Sequence, residues 1–304
     1  AFKEVRPHVI LTVPLLIEKI YKAAVLPTLR DNPKIAKLYK NPLTKWIVLK
    51  TVKTKLISTM GGCIRFFGIG GAPLDETVWD FLYSCHFPYA LGYGLTETSP
   101  LIAGCGPKHK MHKKGYIGKP VKHDHVILLN KNEDGVGEIA VKGPNVMTGY
   151  YNNEELNKEV FTEDGYFKTG DLGYLDKHGY LSIRGRVKTM ILGPAGENIY
   201  PESIESLINN MEFVQESLVV PGDGGLVALI KIDLEAMQEK LKISATDVKD
   251  EAEKYLVKLK KSVNEQLSTF SKIADTELQE KDFERTPTQK IKRFLYSRKK
   301  KEEK

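Results

Sequence analysis

The sequence predicts an α/β chain in three stretches: a layered α/β part, a β-rich segment over residues 115–185, and a smaller α+β part beyond residue 186. Three observations carry this. Twice, at residues 64–75 and 87–98, a short apolar run breaks into glycines, the mark of a strand feeding a loop. Between residues 115 and 185, short apolar segments alternate with turns such as E-D-G-V-G. After residue 186, strand-like and helix-like segments mix and end in charged helical sequence.

Taken in order, residues 14–30 set Leu16, Ile20, Ala23, Ala24 and Leu26 at helical spacing among balancing charges, which predicts an amphipathic helix. A proline-punctuated stretch runs to Pro42. I-R-F-F-G-I-G-G-A-P-L at 64–74 reads as strand and glycine loop, with Asp75 placed to cap a helix. F-P-Y-A-L-G-Y-G-L-T-E-T at 87–98 repeats the strand and loop. Residues 126–129 and 138–141 are strands of a small sheet or barrel, and residues 187–192 form a further strand. Pro201 opens a helix to Met211 at a position where its missing N–H does no harm. Residues 214–220 and 226–232 flank P-G-D-G-G as a β-hairpin. Ser244 and Asp247 resemble a capping box before a long charged helix to about Leu267, and a final basic helix starts at Gln289. The closing R-K-K-K-E-E-K reads as a solvated, frayed end.

With 304 residues, 41% of them hydrophobic, the chain can bury a large core in more than one domain. No apolar run reaches the about 20 residues of a membrane span, and no signal sequence opens the chain. A soluble protein is expected. Three irregularly spaced cysteines, Cys63, Cys85 and Cys105, suit a reducing compartment such as the cytoplasm. Of the net charge of +7, residues 281–304 hold +6, leaving +1 for the rest. That distribution argues against a nucleic-acid groove but invites anionic partners at the basic end.

Three segments carry candidate chemistry. G-Y-G-L-T-E at 92–97 nearly spells a dinucleotide fingerprint, yet Glu97 replaces its third glycine. What remains suits a nucleotide with magnesium: an aromatic face at Tyr93, a hydroxyl at Thr96, a hard oxygen ligand at Glu97. An ordinary tight turn accounts for the same residues. In residues 166–188 glycines isolate Asp171 and then present Arg186 and Lys188, a carboxylate and a guanidinium able to meet ribose hydroxyls, or merely solvated turn charges. T-P-T-Q-K-I-K-R at 286–293 holds Lys290, whose ammonium could balance negative charge developing on carboxylate and phosphate, or simply face solvent. Cys105, His109, His112, His123 and His125 superficially resemble metal ligands, but their spacing fits no zinc pattern and the lysines between them repel a cation. No G-x-S-x-G elbow, Walker loop or H-E-x-x-H occurs.

In this order the segments resemble the adenylate-forming enzymes: acyl-CoA synthetases, beetle luciferases and the adenylation domains of peptide synthetases. The resemblance rests on G-G-A-P-L at 70–74, Y-G-L-T-E-T at 93–98, G-E-I-A-V-K-G-P-N-V-M-T-G-Y at 137–150, G-D-L-G at 170–173 and G-R-V-K at 185–188. G-E-N-I-Y-P-E-S-I-E at 196–205 and the T-P-T-Q-K-I-K-R ending look most like long-chain fatty-acid CoA ligases. The resemblance implies the latter part of a large AMP-binding domain over residues 1–187, with its β-rich subdomain at 115–185, and a small mobile lid domain over 188–304.

It also implies roles. Gly71 and Ala72 would line the adenine pocket and Tyr93 would stack on the base. Thr96 would contact phosphate and Glu97 would hold magnesium. Asp171 and Arg186 would bind the ribose, Lys188 would be the hinge, and Lys290 would stabilise the carboxylate attacking the α-phosphate. The loop 193–198, with Gly196, would line the pantetheine tunnel. Gln289 departs from the glycine usual before the lysine. The implied chemistry joins a fatty acid to ATP with Mg2+, releasing pyrophosphate, and then transfers the acyl group to coenzyme A.

The family's upstream Ser/Thr/Gly-rich phosphate loop is not found, so the resemblance implies a C-terminal part whose partner is the missing N-terminal half. Residues 1–304 alone are then expected to make no acyl-CoA. Peripheral contact with the inner face of the membrane is a further expectation. A ligase for another acid, such as an aryl-CoA ligase or a carrier-protein loader, is the nearer rival, and a non-catalytic module binding anionic polymers or membranes is the remote one.

Overall fold

The computed structural model describes residues 2–194, 196–222, 224–244, 246–286 and 291–296. The chain divides into two compact units between Arg184 and Gly185.

The first unit is built on a five-stranded sheet in the order β1–β2–β3–β4–β5. β1 (Val9–Thr12), β2 (Phe66–Gly70) and β3 (Tyr89–Tyr93) run parallel, and the short β4 (Ala103–Gly104) and β5 (Lys119–Pro120) complete it antiparallel. β2 and β3 are the strands expected from the two apolar runs. Between them lies the helix Glu76–Ser84, and Asp75 caps it as expected, accepting from Thr77 N at 2.9 Å and Val78 N at 3.0 Å.

The helix expected over 14–30 is not uniform. It runs as Pro14–Ile20, a π turn over Tyr21–Val25, and Leu26–Arg30. Pro27 has no N–H to donate, so regular pairing cannot pass through it, and Thr28 Oγ1 donates to Ala24 O at 2.8 Å. The proline-punctuated stretch also holds more order than its reading suggests. Pro33 and Pro42 each stand at the first turn of a helix, Pro33–Lys40 and Pro42–Thr59, behind the cap residues Asn32 and Asn41. Ile17, Tyr21, Val25 and Leu29 pack with Val48, Leu49, Val52 and Leu56 and with Phe67, Phe81, Phe87 and Tyr89 in one core.

The β-rich segment forms a four-stranded sheet, β6 (His125–Leu129), β7 (Gly137–Lys142), β8 (Phe167–Leu175) and β9 (Leu181–Arg186). It is an open sheet, with antiparallel β6–β7 and β7–β8 pairs. Its inner residues Ile139, Val141, Phe167 and Leu181 pack on Ile102 and Ala103. A helix absent from the sequence reading, Glu154–Val160, is capped by Asn153.

In the second unit the strand expected over 187–192 is mostly a turn. Arg186 O accepts from Thr189 N at 3.2 Å and Met190 N at 3.0 Å, which winds the segment back, and only β10 (Ile191–Leu192) pairs, with β11 (Asn198–Ile199). The Pro201–Asn209 helix follows. The hairpin is present and longer than expected, β12 (Val214–Gly222) against β13 (Gly225–Ile232), and β14 (Ile273–Leu278) joins parallel to β13. Both faces of this sheet are buried: Val219, Ala228 and Ile230 meet Ile204, Ile208, Leu256 and Leu259, while Leu218, Val220 and Leu229 meet Phe283.

The long charged helix is Val248–Asn264, shorter than expected. Half of the capping box forms, Ser244 Oγ accepting from Asp247 N at 3.2 Å; in place of the reciprocal bond Ser244 Oγ donates to Asp247 Oδ2 at 2.7 Å, and the helix starts only at Val248. Of the expected basic helix, Gln289 and Lys290 lie outside the described residues, and Arg293–Leu295 is a single 3-10 turn. Among the described residues no helix is long and apolar enough to cross a membrane.

Candidate adenylate site

The carboxyl ends of β2 and β3 lie side by side, Gly70 opposite Gly92. In open parallel sheets this is where ligands bind. The approach is close, since a Cβ on Gly70 would stand 3.1 Å from Gly92 O. Gly71 and Ala72 follow β2 and are exposed, Gly71 with φ +86°.

Tyr93 ends β3. Its hydroxyl donates to Asp171 Oδ2 at 2.9 Å and lies 3.2 Å from Thr169 Oγ1. Thr169 in turn donates to Ile139 O at 2.8 Å and accepts from Asp171 N at 3.1 Å, which fixes β8 under the tyrosine. Asp171 is only 5% exposed, so its carboxylate depends on such donors. Two residues singled out in separate sequence segments thus meet directly, and Thr169, which was not singled out, joins them.

Beyond Tyr93 the chain makes a 3-10 turn, Thr96–Thr98, closed by the buried Thr98, whose Oγ1 accepts from Leu95 N at 3.0 Å. Ser99 is left-handed at φ +53°. The turn presents Thr96 to solvent and leaves Glu97 half-buried. Glu97 is held twice: its backbone carbonyl accepts from Met147 N at 2.8 Å, and its Oε1 accepts from Tyr150 Oη at 2.8 Å. Burial, and then the Glu97 carboxylate, push the Tyr150 phenol up. Asn145 Nδ2 reaches Thr98 O at 2.9 Å and Leu101 O at 2.8 Å, tying the same turn to the loop after β7. Tyr150 and Asn145 both fall inside G-E-I-A-V-K-G-P-N-V-M-T-G-Y, a motif whose individual residues had no assigned task.

Among the described residues no group of three His, Cys, Asp or Glu side chains is placed to hold a metal. Glu97 alone fits magnesium, which keeps most of its shell for water and phosphate and takes one or two carboxylates from a protein. Of the histidines considered, His109 stacks on His86 and meets His112 edge-on, and Cys105 Sγ accepts from Leu91 N at 3.4 Å.

The second unit carries the remaining residues. Arg186 ends β9 and Lys188 sits in the turn after it, both exposed. Thr189 Oγ1 donates to Glu202 Oε1 at 2.7 Å, fastening that turn to the first turn of the Pro201–Asn209 helix. Gly196, at φ +89°, belongs to a tight loop in which Gly193 N donates to Glu197 O at 2.8 Å. Arg293 pairs with Glu205, which also accepts from Val219 N at 2.7 Å; burial pushes the Glu205 carboxyl up against the pull of the guanidinium. Lys290 lies outside the described residues.

The chain belongs to the AMP-binding enzyme family, whose model matches residues 1–151. It is 35% identical over 195 residues to the 2-succinylbenzoate–CoA ligase of Oceanobacillus iheyensis, covering 64% of this chain and 40% of that one. To the peroxisomal long chain acyl-CoA synthetase 7 of Arabidopsis thaliana it is 32% identical over 266 residues, 78% of this chain and 37% of the relative. Among solved structures it superposes with TM-score 0.63 and 28% identity on the o-succinylbenzoate CoA synthetase of Bacillus subtilis in complex with an acyl-adenylate intermediate, over 83% of this chain and 50% of that one. The ATP-bound RpMatB-BxBclM chimera B1 superposes with TM-score 0.67 and 25% identity over 96% of this chain and 51% of that one. The fold is therefore that of the C-terminal part of these enzymes. The chain spans roughly two fifths of the curated relatives it matches and about half of the solved chains.

Proposed function

We propose that the protein acts as an acid–CoA ligase that activates a carboxylic acid through an acyl-adenylate, with a long-chain fatty acid as its substrate. The observation that carries the nucleotide part is the Tyr93 Oη to Asp171 Oδ2 bond of 2.9 Å at the carboxyl ends of β2 and β3, beside a turn that holds Glu97. An aromatic ring with a buried carboxylate at its tip suits a nucleoside: the ring takes the base and the carboxylate accepts from ribose hydroxyls.

Gly71 and Ala72 offer backbone to the adenine edge, and Thr96 offers a hydroxyl to phosphate. Bound magnesium would screen the phosphates from the incoming carboxylate, and Glu97 is the residue that would hold it. Arg186, Lys188, Gly196 and Lys290 keep the roles implied by the family: ribose contact, hinge between residues 1–187 and 188–304, pantetheine loop and catalytic cation. A swinging small domain lets one pocket serve both half-reactions.

The fatty-acid reading is supported by the G-E-N-I-Y-P-E-S-I-E and T-P-T-Q-K-I-K-R segments and by similarity to long-chain synthetases. A second reading, an aryl-CoA ligase, is favoured by the similarity to succinylbenzoate ligases. Competition among long-chain, short-chain and aryl acids for CoA thioester formation by the native protein separates the two; preference for succinylbenzoate would discard the fatty-acid reading.

The nucleotide site is tested on the 304-residue chain itself by calorimetry with AMP. Asp171→Ala should weaken binding at least about tenfold, the value of a lost hydrogen bond to a charged group. Binding that is indifferent to this change would remove the site. In the native protein, Lys290→Ala should slow acyl-adenylate formation more than transfer from preformed acyl-adenylate, and equal loss in both steps would count against its role.

A further inference from the structure

The run R-T-P-T-Q-K-I-K-R sets Lys290 between two arginines, Arg285 and Arg293. Lys290 itself lies outside the described residues, but both ends of the run are described and both are anchored. Arg285 and Ile291 face each other in an antiparallel bridge, and beside it Lys292 N donates to Glu284 O at 2.8 Å. Residues 286–290 therefore leave and return at one place. Glu284 N donates to Tyr296 Oη at 2.8 Å, and Ile291 and Tyr296 pack with Phe283 against Leu218, Val220 and Leu229.

Each arginine then meets a carboxylate on a different element. Arg285 Nη2 donates to both carboxylate oxygens of Glu216 on β12. Arg293 Nη2 donates to Glu205 Oε2 on the Pro201–Asn209 helix and lies 3.8 Å from Glu202 Oε1. Glu205 is only 8% exposed, and its other oxygen is taken by Val219 N. Glu202 Oε1 is also the oxygen that accepts from Thr189 Oγ1, so the helix that receives Arg293 is the one fastened to the turn of Lys188.

Stability alone does not account for these charges. A buried ion pair adds little that apolar packing would not, and Phe283, Ile291 and Tyr296 already cover this face of the sheet. What a guanidinium–carboxylate contact adds is a fixed direction and register. We propose that Arg285 and Arg293, with their partners Glu216 and Glu205, are positioning residues for Lys290: the two ion pairs hold both ends of the 286–290 connection, one on β12 and one on the Pro201–Asn209 helix, and so set where the lysine ammonium stands during acyl-adenylate formation. This rests on the reading of Lys290 as the catalytic cation and extends it to residues which that reading leaves without a task.

The test uses charge-free double variants, because removing one partner alone would strand a buried charge. They are Arg293→Met with Glu205→Gln, which keeps an acceptor for Val219 N, and Arg285→Met with Glu216→Gln. In the native protein with ATP and a long-chain fatty acid, single-turnover pyrophosphate release should fall about tenfold or more in each. Transfer from preformed acyl-adenylate to coenzyme A, and the KM for ATP, should change less than about threefold. In the 304-residue chain, hydrogen exchange over residues 284–296 should quicken about tenfold or more, while the Pro201–Asn209 helix and the β12–β13 pair stay protected as in the parent. Equal loss in both half-reactions would mean a general loosening and would overturn the proposal, as would unchanged adenylation or unchanged exchange. Lys290→Ala in parallel separates the proposal from its premise. If it leaves adenylation intact, the role of Lys290 falls and the proposal with it; if it slows adenylation while the double variants do not, the ion pairs alone lose their role.

Discussion

Gly94 stands where no side chain fits: a Cβ there would lie 1.8 Å from Pro100 O. Because the obstacle is backbone, it cannot rotate away, and Gly94→Ala should cost several kcal/mol, roughly 3 or more, by forcing apart the turn that carries Thr96 and Glu97. A chemical-denaturation midpoint close to that of the parent would contradict this. Tyr150→Phe keeps the ring but releases Glu97 Oε1, and should weaken magnesium-dependent ATP binding while leaving metal-free AMP binding nearly unchanged; equal effects on both would remove the positioning role of Tyr150.

The histidines give a pH dependence. His112 Nε2 lies 2.9 Å from Tyr89 O and 2.8 Å from Gly106 O, so the ring proton belongs on Nε2, and Nδ1 is buried without a partner among the described residues. Burial holds the pKa of His112 below its ordinary 6.5, against the pull of the two carbonyls. His109 is lowered too, by burial first and then by His86, His112 and Lys53. The unfolded chain therefore binds protons at a higher pH than the folded one. Stability is fully present above the ordinary value and is lost as pH falls through it. The melting temperature should drop between about pH 7 and about pH 5, and His112→Gln, which keeps an N–H donor but cannot become an imidazolium, should flatten that slope. An unchanged slope would assign the effect elsewhere.

Elements were legible where their signals are local. Asp75 was readable as a cap because its carboxylate serves amides two and three residues away, and Asp75→Ala should cost about 1 kcal/mol in urea unfolding. The β12–β13 hairpin was readable from two apolar runs around glycines. The Pro42–Thr59 helix was not, because Leu43, Trp46 and Ile47 face outward opposite Val48, Val52 and Leu56, and apolar groups on both sides erase the stripe that periodicity detects. The strand expected at 187–192 failed for a different reason. Its apolar spacing is real, but a turn closed on Arg186 O takes the amides that a strand would have offered to a neighbour. The helix over 14–30 was found but not its π turn, whose cause, a proline inside a helix, is in plain view in the sequence.

At the scale of the molecule, each unit has its own core. Ile199, Ile204, Ile208, Ala228, Ile230, Leu256 and Val263 pack together in the second one. Residues 185–304 produced alone should therefore unfold cooperatively, with a denaturant slope suited to a chain of that length; a broad, non-cooperative transition would show that this core is not autonomous. The order of the short motifs, and with it the family, was determined by sequence alone, since each motif is a run of neighbours whose spacing survives without knowledge of the fold. The sequence also supplied most of the candidate site residues by resemblance.

Only the tertiary structure decided which of them touch. Tyr93 and Asp171 are 78 residues apart and Glu97 and Tyr150 are 53 apart, and both pairs form bonds. The physical reason is that such bonds are fixed by strand order and register and by loops that return to a sheet edge. Those are properties of the packed chain, while a cap or a turn is a property of its neighbours.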